Sequence, residues 1–157
     1  SNATLLFGHI ETDEEIVEHL MLLRTLQDRT RGFQSFIPLA YQPGETQIQG
    51  RMASAARCLR VVALSRLVLD NFKHVKAYWP TLGIETAAAA LSFGADDLDG
   101  TLGHERIMQE AGSSAPMSLS REGMDRLIAD AGQVPVERNG VFDSVESGLI
   151  EPVETCV

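Results

Sequence analysis

The chain has 157 residues, of which 44% are hydrophobic, so it can bury one sizeable core and is expected to form a single globular unit. Its 13 basic and 22 acidic residues give a formal net charge of −9 with no basic cluster, which argues against a nucleic-acid partner. No apolar run approaches the roughly 20 residues that cross a bilayer and no signal peptide opens the chain, so we expect no membrane partner and a cytoplasmic location.

The first half of the chain predicts two units, each a strand followed by a helix. The expected elements are a strand over 4–7, a helix from 12 to about 29, a strand over 33–39 and a helix over about 52–71. Thr12 followed by Glu15 is a capping-box pattern, which places the start of the first helix. Residues 1–3 resemble the remnant of a cleaved purification tag, so we leave them out of the fold prediction.

The second half continues the alternation of strands and helices. The expected elements are a strand over 74–79, a helix over 81–93, a short strand over 96–99, a short helix over 103–111, a loop over 113–119, a helix over 120–132 and a strand over 134–138. We expect Pro80 to end the third strand, because proline cannot continue deep into a sheet. His74 and His104 are expected to be solvated.

Repeated strand–helix units with short connections predict an α/β fold with a parallel sheet and helices outside it. A closed (β/α)₈ barrel needs roughly 200 residues or more, so this chain is expected to form about half of one. Residues 4–139 would be the half-barrel and residues 140–157 an acidic tail. In such a barrel, chemistry takes place at the carboxyl ends of the strands.

An acidic stretch stands out between Gly94 and Gly100. Asp96, Asp97 and Asp99 lie within four residues, and such crowding is tolerable only if the carboxylates are solvated, hydrogen-bonded or near a cation. A solvated acidic turn is one interpretation. A divalent-metal site of a different α/β enzyme is another, which magnesium titration by calorimetry would test.

The string FGADDLDGT resembles a known enzyme group, together with FGHIET near the start and DNFKHVKAYW between them. The resemblance covers Thr4 to Arg138 and is to the C-terminal half of the radical S-adenosylmethionine (SAM) enzymes that build menaquinone through futalosine. Within that group, DDLDGT is most similar to the aminodeoxyfutalosine synthases. The enzymes that make cyclic dehypoxanthine futalosine or the deazaflavin chromophore, and a non-catalytic α/β interaction domain, stay open as alternatives.

The resemblance implies a radical transferase activity for the intact protein. In the aminodeoxyfutalosine synthases of the group, SAM is reduced at a [4Fe-4S] cluster and the adenosyl radical adds to the enolpyruvyl double bond of 3-[(1-carboxyvinyl)oxy]benzoate. Rearrangement and loss of the carboxylate then give 6-amino-6-deoxyfutalosine. Their CxxxCxxC cluster motif lies in an N-terminal half and is absent here, where the only cysteines are Cys58 and Cys156. We therefore expect a piece of a longer enzyme that is inactive alone, whose partners are its own N-terminal half and a small-molecule substrate. An upstream CxxxCxxC in the same reading frame would exclude the non-catalytic alternative.

The resemblance also implies site residues, although it assigns no catalytic residue and no metal ligand. Thr4-x-Leu6-x-Gly8-x-x-Glu11 is similar to the GxIxGxxE motif that lies beneath the cofactor, with Thr4 in place of the first glycine. Residues implied to bind the cofactor are Gly8, His9, Glu11, Ile37 and Leu39. Residues implied to bind the substrate are Tyr41, Gln42, Tyr78, Asp97 and Asp99. The two aspartates suit ribose hydroxyls or a polar nucleoside edge as acceptors, and Glu11 can orient or charge His9.

A half-barrel has unsatisfied edges. The strand over 4–7 would expose unpaired backbone groups, and the inner face of the sheet would expose apolar side chains. We therefore expect a homodimer of this chain, or a tail over 143–157 that folds back over an edge through Val145, Leu149, Ile150 and Val153.

Overall fold

A computed structural model describes residues 1–44, 48, 51–101 and 118–145 of the chain. Its elements are β1 (Asn2–Phe7), α1 (Asp13–Thr30), β2 (Ser35–Ala40), α2 (Ala55–Val68), β3 (His74–Val75), α3 (Trp79–Leu82), α4 (Ile84–Ala90), a 3-10 turn (Leu91–Phe93) and α5 (Arg121–Asp130). Within these ranges no helix combines the length and the apolar character that a bilayer requires.

The three strands form one parallel sheet in the order β1-β2-β3. β1 and β2 pair along their whole length, from Asn2 opposite Ser35 to Phe7 opposite Ala40. β3 is short and pairs with the start of β2. A single parallel bridge between Lys76 and Asp97 continues the sheet beyond β3. The predicted α/β class with a parallel sheet is therefore confirmed, and the described part of the chain forms three of its strands.

One face of the sheet carries the hydrophobic core. Alternate residues of the strands point into it and are almost fully buried, among them Leu5, Phe7, Phe36 and Val75. The helices α1 and α2 contribute Ile16, Leu20, Val61 and Val62 to the same cluster. On the opposite face Leu6 is 47% exposed, and its register partner Leu39 is half-buried. The sheet thus has one covered face and one open face.

Helix α1 begins as the sequence predicts. The Thr12 hydroxyl accepts from the Glu15 backbone N–H at 3.2 Å, and the Glu15 carboxylate accepts from the Thr12 N–H at 2.7 Å. This reciprocal pair satisfies two N–H groups that a helix start leaves unpaired. The helix ends at Arg31, which adopts a left-handed conformation with φ 50°.

The first strand begins earlier than predicted. Asn2 and Ala3, which the prediction left out, belong to β1, where Ala3 is 4% exposed. The Ser35 hydroxyl donates to the Asn2 side-chain oxygen at 2.8 Å across the strand pair. Whatever their origin, these two residues add apolar burial and hydrogen bonds to the sheet edge.

The third predicted strand is shorter than expected, because a helix begins within it. Only His74 and Val75 are ladder residues, and Trp79 opens α3 with Pro80 in the first turn. Proline is favourable there, since the first helical N–H groups have no intrahelical acceptor. Gly83, at φ 79°, then separates α3 from α4 within the range predicted as one helix.

The predicted last strand over 134–138 is wrong. Val134 and Val136 are 83% and 62% exposed, and only an isolated antiparallel bridge joins Arg138 to Ser144. The helix start at Ser120 is confirmed, because its hydroxyl accepts from the Gly123 N–H at 3.1 Å. The predicted helix over 103–111, including His104, lies outside the described residues, as do residues 113–117 of the loop and residues 146–157 of the tail.

Candidate functional site

Most of the predicted site residues lie at one edge of the sheet. Gly8, His9 and Glu11 follow β1, and Tyr41 and Gln42 follow β2. Asp97 forms the bridge with Lys76 that extends the sheet beyond β3, and Asp99 lies two residues after it. Because the strands are parallel, their carboxyl ends meet at the same edge. This is the edge at which α/β proteins bind ligands.

The segment after β1, here called the His9 loop (residues 8–11), folds around one carboxylate. Glu11 Oε1 accepts from the Gly8 N–H at 2.6 Å, and Oε2 accepts from the His9 N–H at 3.0 Å. The His9 ring also contacts Oε2 through Nδ1. With its side chain only 12% exposed, Glu11 is an internal acceptor for the loop.

These contacts set the charge of Glu11. Burial alone would raise the pKa of this carboxyl, but the hydrogen bonds from the Gly8, His9 and Glu11 backbone N–H groups and from the His9 ring lower it from 4.5 to about 2. Arg57, from the first turn of α2, pairs with Asp13 and lies 3.9 Å from Glu11 Oε1. Glu11 is therefore a carboxylate at neutral pH.

Gly8 is required by its position. Its φ is 91°, and a Cβ placed on it would lie 2.9 Å from Ala53 Cβ. A side chain would be strained in that conformation and would collide with the segment that leads into α2. The His9 loop is thus held between the strand end and the start of a helix.

The residues after β2 lie beside the His9 loop. The Tyr41 N–H donates to the Phe7 carbonyl at 2.8 Å, and the Tyr41 ring centroid is 5.4 Å from that of His9. Gln42 is buried and donates through Nε2 to the Thr81 carbonyl at 3.0 Å, which links the end of β2 to α3. Its amide nitrogen is committed to the protein.

The other predicted contacts are dispersed. Ile37 and Leu39 lie within β2 and are half-buried, in alternation with buried residues, so they belong to the open face of the sheet. Tyr78 is half-buried and is the N-cap residue of α3.

A second group, here called the ionic cluster, consists of Lys76, Asp97, Asp99 and Arg138. Arg138 donates through Nε to Asp97 Oδ2 at 2.5 Å and through Nη2 to Asp97 Oδ1 at 2.9 Å. This is a bidentate pair, and the Asp97 side chain is only 7% exposed. The hydrogen bonds to Asp97 raise the pKa of the Arg138 guanidinium. Asp97 is therefore a buried counter-ion.

Asp99 occupies a different environment from Asp97. It has a φ of 74°, which is unusual for a residue other than glycine, and its N–H donates to Asp97 Oδ1 at 2.7 Å. Lys76 Nζ donates to Asp99 Oδ1 at 2.5 Å, and Arg138 Nη2 lies 3.4 Å from the same oxygen. Among the described residues none donates to Asp99 Oδ2. Within the described part of the chain, Asp99 therefore has one oxygen held by protein donors and one without a donor.

Asp96 faces away from that cluster. Its Oδ1 accepts from Arg66 at 2.8 Å and from the Val75 N–H at 2.7 Å, and its Oδ2 lies 2.8 Å from His74 Nδ1. The His74 ring stacks on Phe142 with the centroids 4.0 Å apart. The prediction that His74 is solvated is therefore wrong: it joins the acidic stretch to the segment that carries Arg138.

The cationic residues were not identified as site residues from the sequence. The sequence places Lys76 and Arg138 only within the predicted strands over 74–79 and 134–138, yet the two neutralise Asp97 and Asp99. The signal that could have found Lys76 is its place in the apolar run VKAYW, because a lysine that is only 5% exposed needs a counter-charge. No comparable signal marks Arg138, which is 41 positions from its partner.

A cavity of about 730 Å³ opens beside the ionic cluster. Charged groups at it include Asp97, Asp99 and Arg138, and its apolar wall includes Leu98, Met124 and Ile128. A carboxylate with a free oxygen next to apolar surface suits an uncharged ligand with hydroxyl or amino donors.

The acidic stretch does not resemble a cation site. Asp96, Asp97 and Asp99 each contact protein cations, and those contacts take up most of their oxygens. Within the described ranges, no three or more His, Cys, Asp and Glu side chains come together as metal ligands would. The interpretation as a magnesium site is therefore not supported by these contacts.

Comparison with known proteins places the chain among the enzymes that its sequence resembles. Residues 30–149 match the family described as the CofH/MqnC C-terminal region. An aminodeoxyfutalosine synthase of Thermus thermophilus is 47% identical over 150 residues, covering 92% of this chain and 40% of that protein. An aminodeoxyfutalosine synthase of Streptomyces coelicolor is 44% identical, and a cyclic dehypoxanthine futalosine synthase of the same organism is 39% identical. The predicted resemblance is confirmed, and the chain spans about 40% of the length of the synthases it matches.

Proposed function

Because this chain belongs to the family of the CofH/MqnC C-terminal region, we propose that it is the C-terminal part of an aminodeoxyfutalosine synthase, a radical SAM enzyme of menaquinone biosynthesis. In the intact protein it forms part of the barrel and contacts both SAM and the substrate, 3-[(1-carboxyvinyl)oxy]benzoate. The product is 6-amino-6-deoxyfutalosine. The two synthase relatives, at 47% and 44% identity, support this reaction over that of the sister enzyme at 39%.

The observation that carries the proposal is the convergence of polar groups at one edge of the sheet. His9 and Tyr41 follow the parallel strands β1 and β2, and Asp99 follows Asp97, whose parallel bridge to Lys76 extends the same sheet beyond β3. Each stands where an α/β protein binds a ligand, and each is held by further contacts from neighbouring elements.

Of the two cofactors of the intact enzyme, we expect this chain to contact SAM but not to ligate the [4Fe-4S] cluster. A [4Fe-4S] cluster would be held by the N-terminal half of the intact protein, because the two cysteines of this chain are too few for three cluster thiolates. SAM fits the edge better, because Asp99 Oδ2 is an acceptor open to a hydroxyl group. When bound, SAM and the cluster supply the radical chemistry, and the protein supplies position and shielding.

The open face and edge of the sheet indicate where that N-terminal half would lie. β1 has one strand neighbour, β2, among the described residues, and Leu6 on the open face is 47% exposed. A preceding strand that pairs with β1 would satisfy its backbone groups and cover this face. In the absence of that half, a second copy of this chain is the occupant we propose.

The experiment for the reaction uses the intact enzyme with its upstream segment. We expect formation of 6-amino-6-deoxyfutalosine from SAM and the enolpyruvyl ether, detected by mass spectrometry. Formation of cyclic dehypoxanthine futalosine instead would select the sister activity. The chain alone should give no [4Fe-4S] absorbance on reconstitution, since Cys58 and Cys156 cannot supply three thiolates.

Asp99 is the residue to substitute in that enzyme. Asp99→Asn keeps the shape and removes the negative charge, so turnover should fall at least tenfold, about 1.4 kcal/mol of transition-state stabilisation. Asp130→Asn is the matched control, because Asp130 is exposed at the end of α5. Equal turnover of the two variants would remove Asp99 from the site.

The pairing of two copies is tested by light scattering on this chain. A dimer mass that persists at low micromolar concentration supports it. A strictly monomeric mass at every concentration contradicts it.

A further inference from the structure

The strongest unassigned feature is the hydrogen-bonding state of the His9 ring. The contact between His9 Nδ1 and Glu11 Oε2 needs one proton, and either group could carry it in principle. Glu11 is ionised at neutral pH, because its carboxylate also accepts from the Gly8 and His9 backbone N–H groups. The shared proton therefore resides on Nδ1, and Glu11 selects this tautomer of the ring.

In the neutral ring, that tautomer leaves a lone pair on the other ring nitrogen. The His9 side chain is 19% exposed, and among the described residues no hydrogen bond reaches Nε2. The His9 loop is restrained by its neighbours. Gly8 lies against Ala53, and Arg57 at the start of α2 lies 3.9 Å from Glu11. The result is an oriented acceptor at the carboxyl end of β1, beside the Tyr41 ring.

We propose that His9 contacts the bound ligand directly, accepting a hydrogen bond at Nε2 from a hydroxyl or amino group, and that Glu11 is its positioning residue. A lone pair backed by a carboxylate favours an uncharged donor and disfavours an anion. This assignment rests on the proposed function for the existence of a nucleoside ligand. The family resemblance implies both residues as cofactor contacts, and this assignment distinguishes them. Both Glu11 oxygens accept hydrogen bonds within the loop, whereas His9 Nε2 has no partner among the described residues.

The first test concerns the ring alone and needs no activity. Nitrogen-15 NMR of this chain at neutral pH should show His9 protonated at Nδ1 and unprotonated at Nε2. In Glu11→Gln the side-chain oxygen can no longer serve three donors, so a fraction of the rings should move to the Nε2-protonated form. Glu15→Gln is the matched control, since Glu15 lies four residues further on and makes its own bond to the Thr12 N–H. A ring protonated at Nε2 in the unmodified chain overturns the proposal.

The second test uses the intact enzyme and 5′-deoxyadenosine as the probe. His9→Phe keeps a planar ring without an acceptor, and its Kd for the probe should rise about tenfold. His9→Gln restores an acceptor and should recover part of that loss. Glu11→Gln should weaken binding less than His9→Phe, because it misplaces the ring without removing it. Unchanged affinity of His9→Phe overturns the proposal.

The two tests separate this inference from the proposed reaction. An unmodified enzyme that makes no product refutes the reaction, whatever the ring tautomer. An active enzyme in which His9→Phe binds and turns over normally refutes only the role of His9. Should His9→Phe fail to fold by circular dichroism, the tautomer in the unmodified chain and the affinity of His9→Gln decide the matter.

Discussion

The His9 loop is held by contacts between residues that are close in sequence, whereas the ionic cluster is held by contacts between residues that are far apart in sequence. In the His9 loop the carboxylate of Glu11 bonds to groups two and three residues away. In the ionic cluster Lys76 reaches Asp99 over 23 positions, and Arg138 reaches Asp97 over 41. One group is therefore a local turn with a side-chain acceptor, and the other joins the sheet to a distant part of the chain.

This difference predicts that the two groups contribute unequally to the stability of the fold. The short-range carboxylate holds the backbone of its own loop and orients the His9 ring, so it affects a small part of the molecule. The long-range carboxylate Asp97 neutralises a cation that would otherwise be poorly hydrated, which is useful in the free protein as well. We expect substitutions in the ionic cluster to affect folding more strongly than substitutions in the loop.

The largest effect is expected for Arg138→Ala. It leaves the Asp97 carboxylate, 7% exposed, without its bidentate partner, and should lower the free energy of unfolding by about 3 kcal/mol. Arg24→Ala is the control, because the Arg24–Asp70 pair is also bidentate but its side chains are 39% and 64% exposed. That loss should be much smaller, because solvent screens an exposed ion pair. Urea unfolding of both variants measures the difference, and equal losses would show that burial of Asp97 is energetically unimportant.

A smaller effect is expected for Gly8→Ala in the His9 loop. The new Cβ would be 2.9 Å from Ala53 Cβ on a backbone with φ 91°, which should cost about 2 kcal/mol. Gly83→Ala separates the two causes, since Gly83 has φ 79° and nothing within 4 Å of the added carbon. It should cost only the backbone strain, about 1 kcal/mol. If the two variants unfold at the same urea concentration, the contact with Ala53 does not restrain the loop.

The smallest effect is expected for Glu11→Gln, and it should depend on pH. The pKa of Glu11 is lowered from 4.5 to about 2 in the folded chain, so its stabilisation is present above pH 4.5 and is lost as the pH falls towards 2. At pH 7 the variant should be less stable by about 1.5 kcal/mol, the value typical of hydrogen bonds to a charged group. Thermal melts across this range should show the deficit shrinking below pH 4.5. A deficit that is constant down to pH 2 would mean that the carboxylate charge contributes nothing.

The local features of the molecule could be predicted from the sequence. Helix α1 follows from Thr12 and Glu15, the turn after β1 from Gly8, and the parallel sheet from the alternation of elements. Each depends on residues that are close in sequence, where spacing determines contact. The place of the His9 loop directly after β1 could be predicted for the same reason, whereas its assignment to a cofactor site depends on the family resemblance and stays a prediction.

The long-range features could not be predicted in this way. Periodicity indicates which face of a strand is buried, but not which distant charge meets Lys76 or Asp97 there. The segment from 134 to 138 has the alternating residues typical of a strand, yet it forms no strand, and its last residue, Arg138, pairs with Asp97. Likewise, Trp79 continues the strand pattern, but Pro80 makes it the start of a helix.

The separation of 41 residues between Asp97 and Arg138 also sets a delay during synthesis, because a ribosome makes the chain from its amino end. At about 5–20 residues per second, Asp97 is synthesised roughly 2–8 s before Arg138. During that interval β1, β2 and β3 can already pair, while Lys76, the partner of Asp99, is the one cation of the ionic cluster that has been synthesised. The His9 loop, in contrast, can close as soon as Glu11 has left the ribosome. The nascent protein therefore completes the edge of its sheet in two stages. A pause in translation before residue 138 would prolong the first stage, in which the Asp97 carboxylate is hydrated and not yet paired with Arg138.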